Sequence, residues 1–123
     1  MADSATKILS LAVFLVLISQ GYGAQCSLSD ISVSQTKTGA TVKGKPEWSV
    51  TVTNKCTCVQ SNVVLNTAGF QTTEPIDPKI LRISGNSGVL NDGLIIYTDP
   101  ISFKYAWDNS FPLNPISSQI ACS

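Results

Sequence analysis

Two cysteines one residue apart, Cys56 and Cys58, lie near the middle of the chain, and two more, Cys26 and Cys122, lie far from them on either side. No other feature constrains the fold as much. A bond between Cys56 and Cys58 would close a very small, strained ring. The four therefore pair as Cys26–Cys56 with Cys58–Cys122, or as Cys26–Cys58 with Cys56–Cys122, and spacing does not choose between these. In both cases the two ends of the domain are fastened beside one central point. Each closed loop stabilises the native state by roughly 2–4 kcal/mol. With no histidine and no CxxC spacing, the cysteines do not read as a zinc site, and no metal is predicted.

Disulfides require an oxidising compartment, and the N-terminus supplies a route to one. Residues 8–18 (ILSLAVFLVLI) are uncharged and apolar, Lys7 precedes them, and small or polar residues follow from Gln20 to Ala24. Eleven residues fall short of the roughly 20 needed to cross a bilayer as a helix. The order is that of a secretory signal peptide, with Gly21 and Gly23 placing the cut after residue 23. The expectation is a signal peptide over 1–23 and one secreted, extracellular domain over 24–123, with no membrane span after cleavage. A domain of this size buries a usable core. Eight basic side chains balance eight acidic ones, so the net charge is zero. That gives no electrostatic ground for nucleic acid or an anionic membrane as partner.

The periodicity is that of strands. Trp48, Val50 and Val52 alternate with Ser49, Thr51 and Thr53 over residues 47–54. Ile31 and Val33 alternate with serines over 30–36, and Ile101, Phe103, Tyr105 and Trp107 share one side of 101–107. Shorter apolar runs occupy 60–66, 80–83, 89–90, 94–97 and 116–122. Turn chemistry separates them at Thr38-Gly39-Ala40, Lys43-Gly44-Lys45-Pro46, the Pro-bearing stretch 72–78, Gly85 and Asn91-Asp92-Gly93. No segment after the leader sustains a 3.6-residue period. The predicted fold is all-β, a disulfide-tied two-sheet β-sandwich of seven to eight short strands.

Nothing in this pattern assembles a catalytic site. Without histidine the commonest general base is missing, and serines without a base are not nucleophiles. Glu47 and Glu74 are the only glutamates, and no spacing brings them together for two-carboxylate chemistry. Asp77, Asp92, Asp99 and Asp108 read as turn openers. The protein is expected to be non-enzymatic and to need no cofactor. Two recognition features remain. Lys37, Lys43 and Lys45 cluster around the first hairpin, as a basic rim for an acidic partner or as a solvated edge that discourages strand pairing. Recognition by a rigid scaffold falls on loops, here 37–46 and 72–78. Trp107, with Tyr105, offers rings for stacking on a sugar, which would make the domain a cell-wall carbohydrate-binding module; both rings are also in phase with core aliphatics.

A longer pattern runs through essentially the whole chain after the leader. It comprises Cys26, Asp30-Ile31-x-Val33-x-Gln35, Gly44-x-Pro46-x-Trp48-x-Val50-x-Val52-x-Asn54-x-Cys56, Val64-Leu65, Gly69-Phe70, Asp77-Pro78, Val89-Leu90-Asn91-x-Gly93, Phe103-x-Tyr105-Ala106 and Cys122. In this order it resembles the plant tapetum determinant-like family. The resemblance implies a small apoplastic protein ligand for the ectodomain of a leucine-rich-repeat receptor kinase, acting in cell fate or reproductive development. Family members usually carry six cysteines. The one expected after Val64-Leu65 stands here as Asn66 and the one before Val89 as Gly88, which implies that these two positions bridge each other in relatives.

Overall fold

A computed structural model describes residues 26–122; the leader expected over 1–23, and the cut after Gly23, lie outside the described residues. Seven strands follow one another: β1 (Ile31–Val42), β2 (Lys45–Asn54), β3 (Val59–Asn66), β4 (Leu81–Ser84), β5 (Ser87–Leu90), β6 (Ile101–Ala106) and β7 (Pro115–Ala121). They form two antiparallel sheets, one ordered β1-β2-β6 and the other β4-β5-β3-β7. The all-β, two-sheet, disulfide-tied architecture is as expected. No helix among the described residues is long and apolar enough to cross a membrane.

Alternation decides which face each strand buries. In the first sheet Val33, Val52 and Ile101 stand side by side, as do Gln35, Val50 and Phe103, and then Lys37, Trp48 and Tyr105. The intervening rows are hydroxylated, among them Ser34, Thr51 and Ser102. The second sheet contributes Val63, Leu65, Leu81 and Leu90, and the link before β7 adds Leu113. Phe70, Tyr105 and Phe111 pack with ring centroids 5.0–5.9 Å apart, the separation at which aromatic pairs attract.

Three local expectations change. Thr38-Gly39-Ala40 is not a loop: β1 runs through it, and a bulge between Lys37 and Thr41 absorbs the irregularity with Gly39 at φ +92°. The hairpin instead turns at Lys43-Gly44, both at positive φ, the geometry that matches strand twist. Residues 94–97 are not a strand. The positive φ angles of Asn91, Asp92 and Gly93 redirect the chain, and one bridge between Ile96 and Gln60 holds the segment to β3. Ile96 is buried, while Leu94 and Ile95 are 63% and 59% exposed. Finally, Asn66 and Gly88 are on neighbouring strands but opposite faces. Leu65 faces Gly88 across the ladder, and Asn66 faces Ser87.

The cysteines pair as Cys26–Cys56 and Cys58–Cys122, with Cα separations of 5.6 and 4.7 Å. The reason is the course of the chain between them. Asn54 ends β2 and turns it, its side chain donating to the carbonyls of Cys58 and Ile96 and accepting from the Cys56 amide. Cys56 is thereby left beside the first sheet, where β1 begins, and Cys58 starts the second, where β7 ends. The sulfurs of Cys26, Cys56 and Cys58 lie within 4.8 Å of one another, but all are in disulfides and no described cysteine is free.

Candidate recognition site

The two stretches expected to carry recognition meet at one end of the sandwich. The 72–74 segment is strapped to the ends of β1 and β6. Thr73 N–H donates to the Ala106 carbonyl at 2.9 Å, its hydroxyl donates to the Val42 carbonyl at 2.8 Å, and Ala106 N–H donates to the Thr72 hydroxyl at 3.0 Å. The β1–β2 hairpin therefore stands on a fixed base.

Lys37, Lys45 and Trp107 come together there, with Trp48 as the fourth member. The ladder sets Lys37 opposite Trp48, and its Nζ lies 5.4 Å from that ring's centroid. Lys45 Nζ lies 5.0 Å from the Trp107 ring centroid and 2.9–3.0 Å from both carboxylate oxygens of Asp108. The Trp48 indole N–H donates to the Trp107 carbonyl at 3.3 Å, and Trp107 N–H donates to the Pro46 carbonyl at 3.2 Å. The result is two half-buried indoles, each with an ammonium over its ring. Such pairs stabilise by about 0.5–1 kcal/mol each at exposed sites, and the exposed Lys45–Asp108 ion pair by about 1 kcal/mol at most. These interactions hold the side chains in place more than they hold the fold together. Lys43 sits in the hairpin turn and is exposed.

A sugar platform built from Tyr105 and Trp107 does not form. Tyr105 is fully buried. Its hydroxyl donates to Gln35 and accepts the Phe111 amide at 2.9 Å, while Gln35 donates to the Phe111 carbonyl. That network anchors the link between β6 and β7, and so holds Trp107 and Asp108. Burial raises the Tyr105 pKa above its ordinary value, with the Phe111 hydrogen bond opposing.

A second cluster left no mark in the sequence spacing. Glu47 and Glu74, which no spacing brought together, act on one another's charge where the 72–74 segment is strapped to the ends of β1 and β6. Glu47 Oε1 accepts the Thr38 hydroxyl at 2.6 Å. That bond holds the Glu47 carboxyl below the usual carboxylate range, helped by Glu74 and by the charge of Lys104. Burial pushes Glu74 above it, reinforced by the hydrogen bond to Glu47 and by repulsion from it, with Lys104 opposing. The two shifts are opposite, so Glu47 gives up its proton at lower pH than Glu74. Glu74 Oε1 is buried and has no hydrogen-bond partner among the described residues. Asp108, Thr38 and this glutamate pair are the members that spacing missed: Thr38 lies in the β1 bulge, Glu47 on β2, Asp108 just past β6 and Glu74 on the 72–74 strap.

A family model described as "Tapetum determinant 1, C-terminal" matches residues 27–123. Nothing matches among curated proteins or among solved structures.

Proposed function

This chain belongs to the tapetum determinant 1 family, and from that membership we propose that it is a secreted signalling protein that acts by being recognised. Its receptor, in this reading, is the ectodomain of a leucine-rich-repeat receptor kinase in the plant apoplast, and its role is in cell fate or reproductive development. The two disulfides fit a life outside the cell. The observation that carries the docking site is the rigid display of Lys37 over Trp48 and Lys45 over Trp107 on one strapped hairpin. Pre-ordered aromatic and cationic groups bind with little further ordering cost, and ammonium groups suit a carboxylate-bearing partner surface.

Binding of the purified mature protein to a panel of such ectodomains tests this, by biolayer interferometry at two salt concentrations. Saturable binding to one ectodomain is expected, weakening as salt rises. Lys37→Glu with Lys45→Glu lowers affinity about tenfold or more, mainly through slower association. Absence of saturable binding to every ectodomain removes the ligand reading, and binding unaffected by the double variant moves the contact elsewhere.

A further inference from the structure

Three of the four cysteine sulfurs form one group. Residues 56–58 bend between β2 and β3, and the sulfurs of Cys26, Cys56 and Cys58 lie within 4.8 Å of one another. Cys58 Sγ is therefore a near neighbour of the Cys26–Cys56 bridge while belonging to its own bridge with Cys122. The gap to be closed is of the size a sulfur travels when its side chain moves between staggered positions.

At Cys122 the group opens to solvent. Cys122 is exposed, Cys58 is only 8% exposed, and Cys26 and Cys56 are half-buried. A cleft of about 640 Å³ opens at the Cys58–Cys122 bridge, lined by Thr57, Val59, Tyr97 and Ala121 besides the two cysteines. In thiol–disulfide exchange a thiolate must reach a disulfide sulfur, so access selects which sulfur is attacked. Cys122 is the sulfur within reach.

We propose that Cys122 is a thiol-exchange site: a low-molecular-weight thiol such as glutathione enters there, and the other three sulfurs relay the exchange between two pairings of the cysteines. The thiolate bonds to Cys122 Sγ, the Cys58–Cys122 bond breaks, and its electron pair leaves on Cys58. Cys58 Sγ then bonds to Cys26 Sγ, and the pair from the broken Cys26–Cys56 bond leaves on Cys56. Attack on Cys56 instead would close the small, strained Cys56–Cys58 ring. Finally Cys56 Sγ bonds to Cys122 Sγ and expels the thiol unchanged. Two disulfides are present before and after, so nothing is oxidised or reduced overall. The product is Cys26–Cys58 with Cys56–Cys122, the second pairing that spacing allows. The exchange takes place at the end of β2 away from the Lys43-Gly44 turn. It needs no receptor and stands apart from the ligand reading above.

Cys122→Ser isolates the relay, because it leaves Cys58 as a thiol beside the Cys26–Cys56 bridge. The variant, checked by circular dichroism for an unchanged fold, is held at about pH 8, trapped with N-ethylmaleimide, cleaved after Lys55 and read by fragment-ion mass spectrometry. Label is expected at both Cys58 and Cys56, with about a tenth or more of the molecules labelled at Cys56. Label at Cys58 alone overturns the proposal. So does label reaching Cys26 as readily as Cys56, or transfer that accelerates in about 1 M urea, since exchange then requires unfolding. The wild type supplies a second measurement that needs no variant. After brief treatment with about 1 mM glutathione, the singly adducted protein is expected to carry glutathione on Cys122 and the trapping label on Cys58 or Cys56. A first adduct on Cys26, Cys56 or Cys58 overturns the proposal.

Discussion

Glu47 and Glu74 give the domain a pH optimum whose sign follows from their opposite shifts. Glu74 has a folded pKa above its ordinary 4.5. Its contribution is complete below that value and is lost as pH rises through the raised pKa. Glu47 has a folded pKa below 4.5. Its contribution is complete above 4.5 and is lost as pH falls through the lowered one. Stability is therefore greatest in mildly acidic solution, between the two. Urea denaturation across pH 4–8 checks this: the midpoint of the wild type falls on the alkaline side, whereas Glu74→Gln, which cannot titrate, removes that fall. An unchanged alkaline limb in the variant assigns it to other groups. Tyr105→Phe tests the other buried polar contact. It strips a partner from Gln35 and from the Phe111 amide, at a cost of about 2 kcal/mol. In a domain of this size that lowers Tm by about 10 °C, read by thermal circular dichroism. Burial of Tyr105 was legible from its phase with Phe103, and its hydroxyl's partners were not, since they lie 70 and 6 residues away in sequence.

At the scale of elements, the first hairpin shows what counting residues misses. Register read outward from a turn at Lys43-Gly44 starts correctly, with Val42 opposite Lys45 and Thr41 opposite Pro46. Continued without interruption, it would set Gly39 opposite Trp48. The bulge shifts the ladder so that Lys37 stands there, and the cation over the indole depends on that shift. The segment 94–97 misleads for the opposite reason, since an apolar run reads as buried although one bridge supports it. Register also bears on the bridge that the resemblance implied between positions 66 and 88. A Cβ built on Gly88 would lie 2.9 Å from Thr67 Cγ2 and 2.9 Å from Leu81 Cδ1. A disulfide holds each sulfur about 3 Å from its partner's Cβ, given an S–S bond of about 2.05 Å, so position 67 and not 66 faces position 88. Thr67→Cys with Gly88→Cys is expected to form a third bridge, seen as two hydrogens lost by mass spectrometry. The chain-entropy gain of about 3 kcal/mol is offset in part because buried Leu81 must give way to the new Cβ. Two free thiols in a folded variant contradict this register. Thr67→Val alone costs little, because the buried Thr67 hydroxyl has no partner among the described residues.

At the scale of the whole molecule, the two disulfides fasten both ends of the described domain to the passage between sheets. Cys58–Cys122 closes a sequence separation of 64 residues and Cys26–Cys56 one of 30, each stabilising by about 4 kcal/mol in the chain-entropy account. Domains of this size have total stabilities of about 5–15 kcal/mol. Cys58→Ala with Cys122→Ala therefore leaves a domain whose urea midpoint falls by about half, and reduction of both bridges unfolds it at 37 °C. A reduced form that keeps its near-ultraviolet circular dichroism spectrum contradicts that expectation. Alternation along the chain determined by itself that the domain is built of strands, which side chains face inward, and that four cysteines would tie its ends to its middle. Those properties are local, because a strand's period is written in adjacent residues. Tertiary structure alone decided which cysteine meets which, that Lys37 rests on Trp48, and that Glu47 and Glu74 shift one another's titration. Each of these depends on closing long loops in one register, and a shift of one or two residues, invisible in any single segment, changes them all.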